Sequence, residues 1–336
     1  MMNIPSGNEN DIAVSTRIRL ARNIKNTPYP RKLTAAAATE IIEKTWGVLK
    51  NSALKETLSL YDMIRTDELT KKSLIERHLI SPELAASKVP AAAIISEDGK
   101  ISVMVNEEDH LRIQVFSNGL DAESAYKTAK NLELLLSEVF NFDYDETFGY
   151  LTACPTNAGT GLRASVMLHL PAISLSQSVN RLLKWAANLG MTVRGLYGEG
   201  SEASGAFYQL SNQITLGVSE DEILSRFTAA ACSLITEERR LCAELFEKNY
   251  AKLTDKCLRS LGILKNAYMI SSSEAMNLVS NVCMGANSGI IKNIDKSGLR
   301  DAMFAAMPAT LLKDGNELSS EERDIHRARL LQKALM

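Results

Sequence analysis

The spacing of apolar residues changes near Ser219 and divides the chain into two patterns. Before Ser219, short β-rich runs alternate with stretches of helical spacing. Two of these runs, 91–96 and 100–106, enclose turn residues at 97–99, which predicts an antiparallel hairpin. A third run at 111–116 continues the hairpin as a meander. The first part of the chain therefore predicts an antiparallel sheet.

A helix is predicted to begin at Asp121, because Asn118 and Gly119 break the preceding strand and apolar residues then recur at helical spacing. These apolar residues are Ala125, Ala129, Leu132, Leu136 and Val139. A second helix is predicted over 176–189, ending at the C′ glycine Gly190. Further strands are predicted at 148–154, 191–197 and 207–217.

Beyond Ser219 the pattern predicts one helix after another. A serine followed three residues later by a glutamate fits a capping box at Ser219, Ser271 and Ser319. The fold class is therefore α+β, with an antiparallel β-sheet flanked by helices and followed by a helical C-terminal domain. We place the first domain at 11–218 and the helical domain at 219–336.

Composition and charge exclude several classes of protein. A length of 336 residues predicts about two domains. The 38 Lys+Arg and 40 Asp+Glu give a net charge of −2, which argues against a nucleic-acid binder or a disordered chain. The N-terminus lacks a signal pattern, and no apolar run approaches the ~18 residues that span a bilayer. We therefore expect a cytoplasmic protein without a membrane segment.

The five cysteines and four histidines show no spacing typical of a disulfide framework or a metal site. We expect reduced thiols and no metal ion held directly by side chains. The common nucleotide-binding and hydrolase motifs are absent as well, including the P-loop and the GxSxG turn. Five arginines stand out instead at predicted element ends: Arg17, Arg19, Arg112, Arg163 and Arg194.

Arg17 and Arg19 are two residues apart, so on a strand they point to the same face and could bind one polyanion together. The alternative is a solvated strand or helix edge. Three acidic residues, Glu107, Glu108 and Asp109, follow a hydrophobic strand, where their repulsion favours a cationic partner such as Mg²⁺ or a guanidinium. An ordinary acidic turn remains the alternative.

Two other segments could carry chemistry. Glu199 lies in a glycine-rich stretch, which predicts a loop whose backbone can approach another group closely. Cys154 lies at a predicted strand end, before Gly159, Gly161 and Arg163, and nearby arginines would favour its thiolate. A buried, chemically inert cysteine is the alternative there.

Four ordered motifs, STRIR, NEEDHLR, CPTNAGTGLRASV and RGLYGE, resemble those of the ATP:guanido phosphotransferase family. The resemblance spans most of the first 200 residues and implies the guanido kinase catalytic fold, with a family-type domain extending to about residue 241. It also implies that Glu108 and Glu199 hold the acceptor guanidinium beside Cys154, and that Glu107 and Asp109 organise water around Mg²⁺.

The same resemblance implies ATP as the nucleotide and a set of residues that contact it. This set is Ser15, Thr16, Arg17, Ile18, Arg19, His78, Arg112, Arg163, Ala164, Ser165, Val166, Met167, Arg194, Gly195, Leu196, Tyr197, Gly198 and Glu199.

Within the family the chain is most similar to the bacterial protein arginine kinases, because a helical C-terminal domain replaces the N-terminal helical domain of the animal enzymes. Its RDxxRA motif comprises Arg323, Asp324, Ile325, His326, Arg327 and Ala328, and the resemblance implies an allosteric phosphoarginine pocket there. Without the resemblance, this segment would be read as a solvated helix face with Arg323 and Arg327 one turn apart.

The sequence thus predicts ATP-dependent phosphorylation of arginine side chains in proteins with exposed arginine. The resemblance implies a zinc-binding activator, a stress-gene repressor and a Clp-type protease as partners. We also expect a homodimer or higher oligomer. Two alternatives remain open: a kinase for free arginine, and a catalytically silent phosphoarginine-binding adaptor.

Overall fold

The computed structural model describes residues 9–52, 58–176, 178–195, 204–312 and 318–336. The strands are β1 (Ala13–Arg22), β2 (Leu58–Asp62), β3 (Ala92–Ser96), β4 (Ile101–Val105), β5 (Leu111–Asn118), β6 (Tyr144–Asp145), β7 (Gly149–Tyr150), β8 (Leu162–His169), β9 (Met191–Gly195) and β10 (Phe207–Asn212). The helices are α1 (Ala35–Asn51), α2 (Glu68–Glu76), α3 (Pro82–Ala85), α4 (Ala122–Ser137), α5 (Pro171–Leu175), α6 (Val179–Asn188), α7 (Glu220–Asn266), α8 (Ser272–Asn287), α9 (Lys296–Ala305), α10 (Pro308–Leu311) and α11 (Ser320–Lys333).

Within the described residues, eight strands form one sheet in the order β2-β3-β4-β5-β1-β8-β10-β9. The pairs β2–β3, β3–β4, β4–β5 and β5–β1 are antiparallel. The predicted hairpin and meander are confirmed, because Ile94 pairs with Val103 and Met104 pairs with Arg112. β3 and β4 are buried along their whole length, as expected for apolar strands in the middle of a sheet.

The chain folds as two compact units that do not follow chain order. The first unit comprises Ser15–Ser165 and Ser211–Thr228. The second unit comprises the described residues of Met1–Val14, Val166–Leu210 and Ala229–Met336. The proposed domains, 11–218 and 219–336, stay a prediction.

The predicted helix at Asp121 is confirmed, since the Asp121 carboxylate caps α4 by accepting from the N–H of Ser124. The helix ends at Ser137, so Val139 lies beyond it and is exposed rather than part of its apolar face. The second predicted helix begins three residues late, at Val179, and stops before Gly190, whose φ of 67° only glycine adopts easily. The short helix α5, which starts at Pro171, was not predicted.

The predicted strand over 148–154 is confirmed only at Gly149–Tyr150, which pair with Tyr144–Asp145. Cys154 already precedes a 3₁₀ turn that begins at Pro155. The strand predicted over 207–217 ends at Asn212.

The three predicted helix starts in the C-terminal part are confirmed. The hydroxyls of Ser219, Ser271 and Ser319 accept from N–H groups three residues on, at 3.1, 3.3 and 3.2 Å. At Ser319 the Glu322 carboxylate also accepts from the serine N–H, which completes a capping box.

None of the described helices is long and apolar enough to cross a membrane.

Candidate active site

Four of the five predicted arginines lie together in the first unit. Arg17 and Arg19 lie on β1, Arg112 on β5 and Arg163 on β8, and β5 and β8 are the neighbours of β1 in the sheet. Because Arg17 and Arg19 are two residues apart on a strand, their side chains leave the same face. Arg17 Nε donates to Ser165 Oγ at 3.5 Å, and Arg163 Nη2 donates to Ser211 Oγ at 3.2 Å.

These four guanidinium groups repel one another. Burial, together with Arg163 and Arg112, lowers the pKa of Arg17 to about 10. Burial, together with the same neighbours and Arg17, holds the pKa of Arg19 well below its usual value. The Nε atom of Arg19 is also buried without a hydrogen-bond partner among the described residues. A set of desolvated cations with an unused donor fits a polyanionic ligand such as a triphosphate.

His78 lies beside this arginine cluster. Its φ of 57° places it in the left-handed region, where a non-glycine residue is uncommon. Burial and the charges of Arg17 and Arg19 lower the pKa of His78 to about 4. The ring is therefore neutral near pH 7 and adds no further positive charge to the cluster.

We expect His78 to titrate near pH 4 in NMR spectra of the parent chain with ¹³C-labelled histidine, assigned with a His78→Gln variant. In Arg19→Met the midpoint should rise by only part of the difference from 6.5, because burial, the largest cause of the low pKa, remains and one of the two repelling charges is gone. A parent midpoint near 6.5 would show that the ring is neither buried nor beside the arginines.

The acidic loop between β4 and β5 is a tight turn. The N–H of Asn106 donates to the His110 carbonyl at 2.9 Å, and Asn106 adopts φ 60°. The Glu107 carboxylate is almost fully buried and accepts from Ser81 Oγ at 2.5 Å and from Arg112 Nη1 at 2.7 Å. The Glu107 side chain is therefore held by partners from two directions.

Glu108, the next residue, keeps 37% of its side chain exposed and pairs with Arg112 Nη2 at 3.2 Å. Burial raises the pKa of the Glu108 carboxyl, and neighbouring Asp109 and Glu107 add to the rise, against Arg112 and Arg31. A partly exposed carboxylate with a raised pKa, next to an arginine of the cluster, has the properties of a general base.

Asp109 points away from solvent and connects this loop to the Cys154 segment. Its Oδ1 accepts from Asn23 Nδ2 at 2.6 Å and from the N–H of Ala153 at 2.7 Å. The Cys154 thiol is half-buried and lies 2.9 Å from Thr156 Oγ1. Cys154 is thus not buried in the core, and its role beside the acceptor stays a prediction.

The glycines that follow Cys154 are explained by close backbone contacts. Gly159 has φ 105°, and a Cβ there would lie 2.2 Å from the carbonyl oxygen of Thr215. Thr215 Oγ1 in turn donates to the carbonyls of Thr156 and Ala158 at 3.0 and 2.8 Å. The CPTNAGTG segment is therefore a compact turn packed on Thr215.

The other residues predicted to contact ATP occupy several environments. Thr16 is buried, with its hydroxyl donating to the Gly119 carbonyl at 2.7 Å, and Ser15 and Met167 are half-buried. The side chains of Ile18, Ala164 and Val166 are buried, so we expect any ligand contact there to use the main chain. Arg194 is exposed on β9 in the second unit and is followed by Gly195. Leu196, Tyr197, Gly198 and Glu199 lie outside the described residues, and their roles stay predictions.

The RDxxRA motif lies on α11 in the second unit. Arg327 is buried and donates to the carbonyls of Ala306 at 3.0 Å and Ile270 at 2.8 Å, and it pairs with Asp324. The alternative prediction of a solvated helix face is therefore wrong at Arg327, because α11 packs the side that carries this residue into the interior of the unit. Arg323 and Ile325 are half-buried, His326 is exposed and Ala328 is buried. The phosphoarginine pocket stays a prediction.

We expect Arg327→Ala to destabilise the second unit by roughly 3 kcal/mol, since it leaves Asp324 without its partner. Arg329→Ala, an exposed change on the same helix, should stay within about 0.5 kcal/mol of the parent. Urea unfolding followed by Trp185 fluorescence in a Trp46→Phe background reports on this unit. Equal midpoints for the two variants would contradict the buried pair.

Sequence reasoning missed Asn23, Ser81 and Ser211, which hold Asp109, Glu107 and Arg163. The only available signal was position, since Asn23 directly follows the arginine-bearing strand.

The described residues contain no group of three or more His, Cys, Asp or Glu side chains arranged to hold a metal ion. Asp109 Oδ2 is buried and has no hydrogen-bond partner in that part of the chain. Because this oxygen is not in contact with solvent, the predicted role of Asp109 in ordering water around Mg²⁺ stays a prediction.

Comparison with known proteins gives two matches to family models. Residues 40–241 match the model described as "ATP:guanido phosphotransferase, C-terminal catalytic domain", and residues 250–336 match "Protein-arginine kinase McsB C-terminal domain". The chain is 44% identical to the "Protein-arginine kinase" of Clostridium acetobutylicum, over 95% of both chains. It is 42% identical to the protein of the same name from Halothermothrix orenii, over 98% of this chain and 94% of that one.

Solved structures show the same fold. A lombricine kinase crystal structure aligns with a TM-score of 0.62 at 24% identity, covering 70% of this chain and 68% of that chain. The duplicated taurocyamine kinase from Schistosoma mansoni aligns with a TM-score of 0.63 at 23% identity, over 80% of this chain and 40% of that chain. With the family-model match and the full-length relatives, this shows that the chain is an enzyme of the ATP:guanido phosphotransferase family.

Proposed function

We propose that this chain transfers the γ-phosphoryl group of ATP to the guanidinium groups of arginine side chains in proteins. The observation that carries the proposal is that Glu108 contacts Arg112, a member of the desolvated arginine cluster. A carboxylate able to bind a guanidinium thus lies next to cations suited to a triphosphate. The full-length relatives named "Protein-arginine kinase" support a protein substrate.

The residues on the acceptor side fit the needs of this reaction. A guanidinium is a poor nucleophile because its lone pairs are delocalised and its pKa exceeds ~12. Glu108 would bind the group through paired hydrogen bonds and accept a proton as the P–N bond forms. Glu199 would hold the other edge of the guanidinium, with Cys154 beside it. Fixing the planar group in line with the phosphorus atom supplies much of the acceleration.

The residues on the nucleotide side would neutralise charge. Arg17, Arg19, Arg112, Arg163 and Arg194 would bind the phosphates and stabilise the transferring phosphoryl group. Mg²⁺, when bound, would neutralise phosphate charge in the same way. Glu107 and Asp109 would orient water molecules of its hydration shell.

Regulation and partners are part of the proposal. The RDxxRA motif would bind phosphoarginine, with Arg323 on the phosphate and Asp324 on the guanidinium. We also propose a cytoplasmic location, assembly into dimers or higher oligomers, and contacts with a zinc-binding activator, a stress-gene repressor and a Clp-type protease.

Phosphoryl transfer should fall as pH drops through the pKa of Glu108, because only the ionised carboxylate accepts a proton. Since burial, with Asp109 and Glu107, raises this pKa against Arg112 and Arg31, the loss should begin at a higher pH than for a glutamate of pKa 4.5. A profile of kcat/KM against pH for the arginine acceptor measures this limb. An acid limb at or below 4.5 would contradict the assignment.

The proposed function is tested by incubating the chain with ATP, Mg²⁺ and an unfolded arginine-bearing protein, with free arginine in a parallel reaction. Mass spectrometry without acid steps should locate phosphoryl groups on arginines of the protein. Label on free arginine alone would instead establish a small-molecule kinase. Tight phosphoarginine binding without turnover of either acceptor would favour an adaptor.

A further inference from the structure

One buried amide, the side chain of Asn23, connects the Glu108 loop to the segment before Cys154. Asn23 Nδ2 donates to Asp109 Oδ1 at 2.6 Å and to the Leu151 carbonyl at 3.1 Å. Asn23 Oδ1 accepts from the N–H of His110 at 2.9 Å. The residue is 1% exposed, and both amide protons are used. A single side chain thus holds three points on two separate segments.

Asp109 completes the connection. The oxygen that accepts from Asn23 also accepts from the N–H of Ala153, at 2.7 Å. Ala153 directly precedes Cys154, and Glu108 directly precedes Asp109. Because Asp109 is fully buried, losing the Asn23 donor would leave its charge poorly satisfied and free to shift. A shift of Asp109 would move Glu108, which precedes it, and would move Cys154 through the hydrogen bond to Ala153.

Asn23 is itself held rigidly by the residues on either side. Arg22 is fully buried, pairs with Glu133 and lies 3.5 Å from the centre of the Tyr150 ring. The N–H of Ile24 donates to His110 Nδ1 at 3.1 Å. Because its neighbours are fixed, Asn23 can hold Asp109 in one position.

We propose that Asn23 is a positioning residue that sets Glu108 relative to Cys154 by holding Asp109. This role rests on the proposed function, in which Glu108 and Cys154 contact the acceptor guanidinium. Misplacing a reacting group by about 1 Å can cost ~10²-fold in rate. The effect should appear on the acceptor side and spare the binding of ATP.

The test compares Asn23→Ala with Asn212→Ala, a matched buried amide in the same unit. Asn212 is 3% exposed, accepts from the N–H of Ala164 at 2.8 Å and donates to the carbonyls of Leu162 at 3.1 Å and Ile214 at 3.2 Å. Both changes remove three hydrogen bonds and should lower the melting temperature similarly. Only the Asn23 change disturbs Asp109.

The first readout is the rate at which iodoacetamide alkylates Cys154 in the full chain, followed by peptide mapping with Cys232 as internal reference. Asn23→Ala should speed this alkylation ~5-fold as the turn loosens. Asn212→Ala should have a clearly smaller effect, because its amide reaches the Cys154 turn only indirectly, through Ile214 and Thr215. Steady-state kinetics form the second readout. Asn23→Ala should reduce kcat/KM for the arginine acceptor ~10²-fold, with the Kd of ATP within about twofold of the parent.

An unchanged Cys154 alkylation rate in a folded Asn23→Ala protein would overturn the proposal and leave Asn23 a structural residue. If the alanine variant does not fold, Asn23→Ser retains one donor and should give an intermediate rate. Alkylation needs no turnover, so a chain inactive on arginine would refute the proposed function and still let this measurement decide the role of Asn23.

Discussion

Replacing Glu108 with glutamine is expected to lower the rate of phosphoryl transfer to arginine by at least ~10²-fold while leaving the chain folded. Glutamine keeps the size of the side chain but cannot accept a proton or present two equivalent oxygens to a guanidinium. Because Glu108 is partly exposed and its partner Arg112 is also bound by Glu107, the fold does not depend on this carboxylate.

The matched control is Glu97→Gln, an exposed change in the turn between β3 and β4 of the same unit. It should retain the parental rate. Steady-state kinetics with an arginine-bearing protein, supported by melting curves for all three proteins, make the comparison. Parental activity in folded Glu108→Gln would remove Glu108 from the reaction.

The second large effect is expected for Arg19→Met, which should reduce the rate by ~10²-fold or more and weaken ATP binding. The same change should make the nucleotide-free chain slightly more stable, by about 1 kcal/mol, because it removes one of four mutually repelling guanidinium groups. A gain in stability accompanied by a loss of activity is the signature of a residue kept for ligand binding.

Arg65→Met is the matched control, since that arginine is 86% exposed and pairs only weakly with Asp62 at 3.6 Å. It should change neither rate nor melting temperature. Thermal melts of the three proteins without ATP measure the effect of each change on the stability of the free chain. Melts with ATP measure its effect on stabilisation by the nucleotide. If Arg19→Met destabilised the free chain and still gained full stabilisation from ATP, the arginine cluster would be structural.

Much of the fold was predictable because it depends on local rules. The hairpin at 91–106 has turn residues between two apolar runs, and the helix after Asp121 has both its cap and its spacing in the sequence. The short helix α5 was not predicted, although Pro171 in its first turn is a local start signal. The end of the strand at Tyr150 depends on backbone pairing with Gly159, which local spacing does not reveal.

In the candidate site, too, some features were predictable from the sequence and others were not. The spacing of Arg17 and Arg19 predicted that they share one face. Arg112 and Arg163 join them because β5 and β8 flank β1, a strand order that the sequence did not predict. The partners of these residues could not be predicted, because Asn23 and Ala153 meet Asp109 from positions 86 and 44 residues away. The burial of Arg327 also depends on distant carbonyls, which local spacing does not reveal.

The most direct test of the account is ³¹P NMR of the chain with ATP, Mg²⁺ and an unfolded protein containing arginine, compared with the same protein after every arginine is replaced by lysine. We predict a phosphoramidate resonance that grows as ATP is consumed and disappears on acidification, in the arginine protein alone. An equal signal from the lysine protein, or ATP consumption without any P–N resonance, would contradict arginine phosphorylation.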